Sequence, residues 1–174
     1  IGVMAVQSYA SRTRYSDREK NLLSLVSTQV ALAIERKRTE MALTDSEERY
    51  RRLVEFSPEA IAVHCEGKVV YANPAGLALV GAGSLDDVIG KPLLSFVHAD
   101  YHERVKNRTT AALDNGMPLQ PLEEKFLRLD GRPIDVEVTS MPLVYDGKNS
   151  VQVIVRDISA RKQVEASIQS QLLE

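Results

Sequence analysis

The run KVVYANPAGLALVG, residues 68–81, changes its period in the middle. Lys68 to Ala72 alternates β-branched and aromatic side chains, the pattern of a half-buried strand. Asn73 then offers a side-chain oxygen to the orphan amides of a helix start. Pro74 suits the first helical position, where its missing N–H costs nothing. The apolar PAGLALV reaches Gly81 after about two turns. A strand running directly into a short, capped helix is therefore predicted, and its neighbours decide the architecture.

Upstream, AIAVHC (60–65) is a second short alternating run, joined to the first by the hairpin dipeptide Glu66-Gly67. Downstream, SLDDVIG (84–90) has a Ser cap and a Gly stop and reads as a short helix. HADYHERVKNRTTAALDNG (98–116) carries Asp100 early and ends in Asn115-Gly116, a longer helix. Three alternating runs follow: PLEEKFLRL (121–129), PIDVEVTSMPLVY (133–145) and SVQVIVRD (150–157). Asp130-Gly131 and Asp146-Gly147 connect them as hairpins. Two strands, several short helices and three strands predict an α+β domain: a five-stranded antiparallel sheet with the helices on one face.

The flanks differ in kind. IGVMAVQSY (1–9) alternates and reads as a strand. Ser16 then caps a helix whose first turn holds Asp17 and Glu19, favourable to the helix dipole. Its apolar residues from Leu22 to Ile34 fill an arc of roughly 200°, wider than one buried stripe needs. Leu23, Val26, Val30, Ile34 and Met41 are therefore candidates for a dimer interface. From Glu35 the sequence is charged, with both signs interspersed, a solvated helix face rather than a nucleic-acid patch. No Gly or Pro interrupts it before Pro58, so the helix either continues to Phe56 or restarts at Asp45 or Ser46. At the other end, Ile158–Glu174 is helical, with Val164, Ile168 and Leu172 on one stripe. A lone helix of that length is marginal in water and needs a partner.

Composition narrows the functions. The 174-residue chain has a net charge of −2 and no Trp, which announces no basic face for nucleic acid or anionic lipid. No apolar run is long enough to cross a bilayer and no signal peptide is seen, so no membrane contact and a cytoplasmic location are expected. The one cysteine, Cys65, cannot form an internal disulfide. The chain begins at Ile1 rather than Met and reads as part of a longer protein.

The central residues resemble a PAS domain. VVYANPAGLALVG is similar to the family's Y-x-N-x-A…G segment. DVIGKPLLSFVHADYHERV resembles its G-K-x-x…H-P-D-D stretch, with Ala99 in place of the usual Pro. FLRLDGRPIDVEV resembles its D-G hairpin and VRDISARKQ its D-I-T-x-R-K exit. GVMAVQSY followed by SDREKNLLSLVSTQVALAIE resembles the last strand and helix of a GAF domain. The resemblances imply residues 1–44 as a GAF remnant, 45–158 as the PAS domain and 159–174 as a coiled-coil signalling helix. They further imply a sensory and relay module of a bacterial signalling protein, a sensor histidine kinase first and a diguanylate cyclase second. In that family the exit joins the sheet to a helix that carries motion onward. Asp157, Ile158, Ser159 and Arg161 are the relay residues here, with Asp157 or Ser159 as cap and Arg161 within ion-pair reach of Asp157.

Candidate chemistry is sparse. His102-Glu103-Arg104-Val105 starts like a phosphoacceptor box but lacks its Pro and Leu, and no nucleotide-binding motif occurs in the chain. The fragment is not expected to be an enzyme. Some PAS oxygen sensors ligate haem from the long helix, but that position falls on Val105, leaving His102 as the alternative ligand. A flavin photosensor needs a Cys in a G-R-N-C-R-F-L segment, and Cys65 stands elsewhere. His64 and Cys65 point to opposite faces of a strand and form no metal pair. No cofactor or metal is expected. An apolar ligand pocket is read from alternation, with Ile61, Val63, Phe126, Val136, Val138 and Val153 on strands and Leu77, Val80, Leu94, Phe96 and Val105 closing it from the helices. The same lining would equally make an empty core.

Overall fold

The computed structural model describes residues 16–171, so the strand expected at 1–9 and the stripe residue Leu172 lie outside the described residues. The chain divides into two compact units, one ending at Arg51 and one from Arg52 onward.

Helix α1, Asp17–Glu55, is unbroken, which settles the choice between continuation and restart. Its start is a capping box. Ser16 Oγ accepts from the Glu19 amide at 3.3 Å while the Glu19 carboxylate takes the Ser16 amide at 2.7 Å. No described residue of α1 is buried. Val26 is 50 % exposed, Ile34 50 % and Met41 56 %, so its apolar arc lies open in the single chain.

The second unit holds strands β1 (Ala60–Cys65) and β2 (Lys68–Ala72), helix α2 (Pro74–Val80), helix α3 (His102–Asn115), strands β3 (Leu122–Leu127), β4 (Pro133–Tyr145) and β5 (Lys148–Asp157), and helix α4 (Ser159–Gln171). Single 3₁₀ turns at Leu85–Asp87, Leu93–Phe96 and Ala99–Tyr101 link α2 to α3. The strands form one antiparallel sheet in the order β2-β1-β5-β4-β3. The long crossover from β2 to β3 carries the helices. Their apolar faces meet Val151, Val153 and Val155 of β5, Val136 and Val138 of β4, and Phe126 of β3 in one core.

Asn73 fastens the strand-to-helix junction and is fully buried. Its Oδ1 accepts from the Gly76 amide at 2.8 Å and from Ile61 N at 2.9 Å. Its Nδ2 donates to the carbonyls of Val54 and Glu59 at 3.0 Å each. Every polar atom of this buried amide is thus satisfied, as burial demands. Gly76 lets α2 approach β1 closely. A Cβ there would stand 3.3 Å from the Ile61 carbonyl oxygen and 3.2 Å from Asn73 Oδ1.

This close approach corrects one expectation. In β1 the residues opposite Val155, Val153 and Val151 are Ala60, Ala62 and His64. Ala60 and Ala62 therefore face the helices, and Val63 turns to the other side of the sheet, opposite Gln152 and Tyr71. AIAVHC is apolar at both parities, so alternation alone had no basis for choosing a face. The strand pairing settles it: Ala60 and Ala62 stand on the face that α2 covers, where Gly76 brings the helix close to the β1 backbone.

Candidate functional site

Two features of the second unit bear on function: the helix exit at Asp157–Ser159 and the space between sheet and helices. At the exit, Asp157 Oδ1 accepts from the Ser159 amide at 2.8 Å, so Asp157 is the cap. Ile158 is buried, and its amide donates to the Asp135 carbonyl of β4 at 2.9 Å. Its own carbonyl already accepts from Lys162 N at 3.0 Å. One residue thus belongs to the sheet through its N–H and to α4 through its C=O. Arg161 does not reach back to Asp157 as expected. Its Nη2 lies 2.5 Å from Glu123 Oε1 on β3 and its Nε 3.7 Å from Glu165. Lys162 grips the same Glu123 carboxylate. Hydrogen bonding from Lys162 and the two nearby positive charges hold the Glu123 carboxyl below its ordinary range. Sequence spacing could not show this clamp, because β3 lies far from α4 along the chain.

The interior space is small. A cavity of about 50 Å³ lies between α2 and the sheet, lined by Ala60, Ala62, Val69, Ala72, Leu79, Val80, Val88, Leu93, Phe96, Phe126, Val153 and Val155, with Ile61 and Gly76 at its edge. Of the residues expected at a pocket, Ile61, Val80, Phe96, Phe126 and Val153 border it. Val105 and Val138 border a second cavity of about 20 Å³ under α3, together with Phe126 and Val153. Leu77, Leu94, Val63 and Val136 border neither: Leu77 packs against the core a helical turn before the lining residue Val80, Leu94 packs next to the lining residue Leu93, and Val136 is fully buried within it. Both cavities are far below the roughly 300–1,000 Å³ of typical cofactor and ligand pockets. His102 borders neither, and its Nε2 donates to the Val97 carbonyl at 2.9 Å. His98 lies at the start of the last 3₁₀ turn, where its Nδ1 accepts from the Asp100 amide at 3.4 Å.

Five polar side chains line the second cavity that alternation did not place there: His64, Arg108, Thr109, Glu124 and Ser140. The signal existed for Glu124. Leu122, Glu124 and Phe126 share a parity in β3, so placing Phe126 inside also places Glu124 inside.

The second unit is thus an antiparallel five-stranded sheet closed by short helices on one face, with the last strand spliced into an outgoing helix. Residues 48–158 match the model of the PAS fold family, and the chain belongs to that family. It is 38 % identical over 120 residues to Sporulation kinase A of Bacillus subtilis (strain 168); the match covers 69 % of this chain and 20 % of that protein. The chain thus spans about a fifth of that relative's length. Among solved structures, it is similar to the PAS domain of an HTR-like protein from Haloarcula marismortui, with TM-score 0.60 and 26 % identity, covering 70 % of this chain and 99 % of the other. A PAS domain from Colwellia psychrerythraea shares the fold at 20 % identity and TM-score 0.58, covering 65 % and 97 %.

Proposed function

We propose that the chain is the PAS sensor and relay portion of a sensor histidine kinase working in the cytoplasm. A change in what fills the core between α2, α3 and the sheet alters the sheet, and α4 carries that change to an output domain. The observation that carries the reading is the splice at Ile158. Its amide is bonded to β4 and its carbonyl to the first turn of α4, with Glu123 holding Arg161 and Lys162. A displacement of β4 or β3 therefore has no flexible loop in which to dissipate before α4. The likeness to Sporulation kinase A supports a kinase as parent. The open apolar arc of α1 supports a parallel homodimer through Leu23, Val26, Val30, Ile34 and Met41, and the resemblance of residues 1–44 to a GAF domain end supports a second sensory domain upstream.

The test uses the parent protein. Ala62→Leu fills the apolar cavity and is expected to shift autophosphorylation away from its basal level. Inserting Gly-Gly between Ile158 and Ser159 is expected to abolish that shift while leaving a folded domain by circular dichroism. If the insertion variant still transmits the Ala62→Leu effect in full, the splice is not the route.

A further inference from the structure

Strands β1 and β5 are neighbours in the sheet, and they are also the strands by which the chain enters and leaves it. Ala60, the first residue of β1, stands opposite Val155 near the end of β5. The last turn of α1 and the first turn of α4 therefore meet the sheet at the same end of adjacent strands. Residues 56–59, between α1 and β1, have little slack. The Phe56 amide donates to the Arg52 carbonyl at 3.0 Å and the Ser57 amide to the Val54 carbonyl at 3.3 Å. Pro58 fixes its own φ, and the Glu59 amide donates to Ser57 Oγ at 3.2 Å.

Asn73 closes this entrance from inside. Its oxygen serves the fold, capping α2 and holding the Ile61 amide. Its nitrogen serves the entrance, donating to the carbonyls of Val54, in the last turn of α1, and of Glu59 at 3.0 Å each. The two N–H groups of a buried amide must find acceptors, and these two tie the end of α1 to the residue that precedes β1. Glu59 carries the connection across to the exit. Its Oε1 accepts from Arg156 Nε at 3.0 Å and also meets Arg156 Nη2. Arg156 precedes Asp157, the cap of α4. From the Val54 carbonyl to that cap, every step is a hydrogen bond or a single residue of chain. The ion pair lies at the surface, its side chains 63 % exposed at Arg156 and 36 % at Glu59, so it adds little to stability.

We propose that Asn73, Glu59 and Arg156 are positioning residues of a single joint between the end of α1 and the start of α4. Displacement of the entering helix reaches the leaving helix along β1 and β5 without any change in the core. This rests on the reading of the chain as a relay and gives that relay a second input, the upstream helix.

The experiment is residue-resolved amide exchange of the chain. Arg156→Ala alters no residue of α1, yet it is expected to speed exchange at the entrance amides of Phe56 and Ser57 as well as at Ser159 and Lys162. The increase should be roughly threefold, as loss of one exposed ion pair would give, with the β3–β4 ladder unchanged. Glu59→Ala should do the same, and combining the two should add nothing to either alone. Asn73→Asp keeps the cap oxygen and removes the Nδ2 donor. It should speed the same amides, and Glu59→Ala should then have no further effect at Ser159 and Lys162. Faster exchange confined to α4 in Arg156→Ala, a general loss of protection that includes the β3–β4 ladder, or additive effects would overturn the joint. If Asn73→Asp does not fold, the Glu59 and Arg156 variants decide alone, since both side chains lie at the surface. Ala62→Leu, read at the same α4 amides, separates the joint from the core relay. If it moves Ser159 and Lys162 while Arg156→Ala leaves Phe56 and Ser57 unchanged, the core relay stands and the joint fails. The reverse pattern keeps the joint and removes the core relay.

Discussion

His64 sits on the inner face of β1 where its neighbours at the same parity are alanines, and burial pushes its imidazole down to about 4. The group is therefore neutral in the fold and protonated in the unfolded chain between that value and its ordinary 6.5. In that window the unfolded state binds more protons, so stability rises with pH and is lost on acidification. Between pH 7 and 5 the fold should lose about 2 kcal/mol from this residue alone. Glu124 works in the opposite sense. Its carboxyl is raised by burial, so its ionisation penalises the fold as pH rises above the ordinary carboxylate range, and it does not reproduce the acid limb. Urea melts of the wild type at pH 7 and 5 should show the drop, and His64→Leu should flatten it. A His64→Leu variant with the same acid limb would show that another group is responsible. The same residue marks what the sequence left open. In AIAVHC every position through Val63 is apolar, so the inward parity is set by pairing with β5 and by the close approach of α2 at Gly76, neither of which the local pattern carries.

Elements were more legible than faces, because their boundaries are set by local chemistry. Glu66-Gly67, Asp130-Gly131 and Asp146-Gly147 terminate strands wherever they occur, and Glu66 and Asp146 do take the positive φ that such turns require. The Asn73 cap and Pro74 place α2 in the same local way. The 3₁₀ turn at Leu93–Phe96 had no such signal; its Pro92 cap makes no side-chain bond, and tertiary packing of Leu93 and Phe96 holds it. Nor was the clamp on α4 visible, since Glu123 and Lys162 meet only once β3 and α4 are assembled. This clamp is exposed and so open to screening by salt. Glu123→Lys replaces attraction by repulsion against Arg161 and Lys162. The expected result is faster amide exchange along Ser159–Gln171 with β4 unchanged, and a wild-type α4 that approaches the same behaviour as salt is raised. Protection of α4 that ignores both the substitution and the salt would assign its docking to Ile158 alone.

The whole molecule presents a mismatch between its two ends of organisation. The PAS unit encloses a core, whereas α1 runs from Asp17 to Glu55 without burying one described residue. A helix of that length gains little from intrinsic propensity, and in proteins such helices persist because an apolar face is covered. Val26, Val30 and Ile34 are 50 %, 44 % and 50 % exposed, and each would contribute roughly 1.5–3 kcal/mol on full burial, before the cost of association. A parallel twofold brings each residue opposite its own copy, which makes the interface unusually sensitive to charge. Ile34→Glu places two carboxylates face to face at the seam, so the penalty is incurred twice per dimer, once for each buried, unpaired charge. Multi-angle light scattering should report twice the chain mass for the wild type and the single-chain mass for Ile34→Glu at micromolar concentration. Glu35→Lys, one residue along and within the charged stretch, is the control and should remain dimeric. A wild type that elutes as a monomer, or an Ile34→Glu variant that stays dimeric, would mean that the arc on α1 is covered in some other way and that pairing of this helix does not organise the molecule.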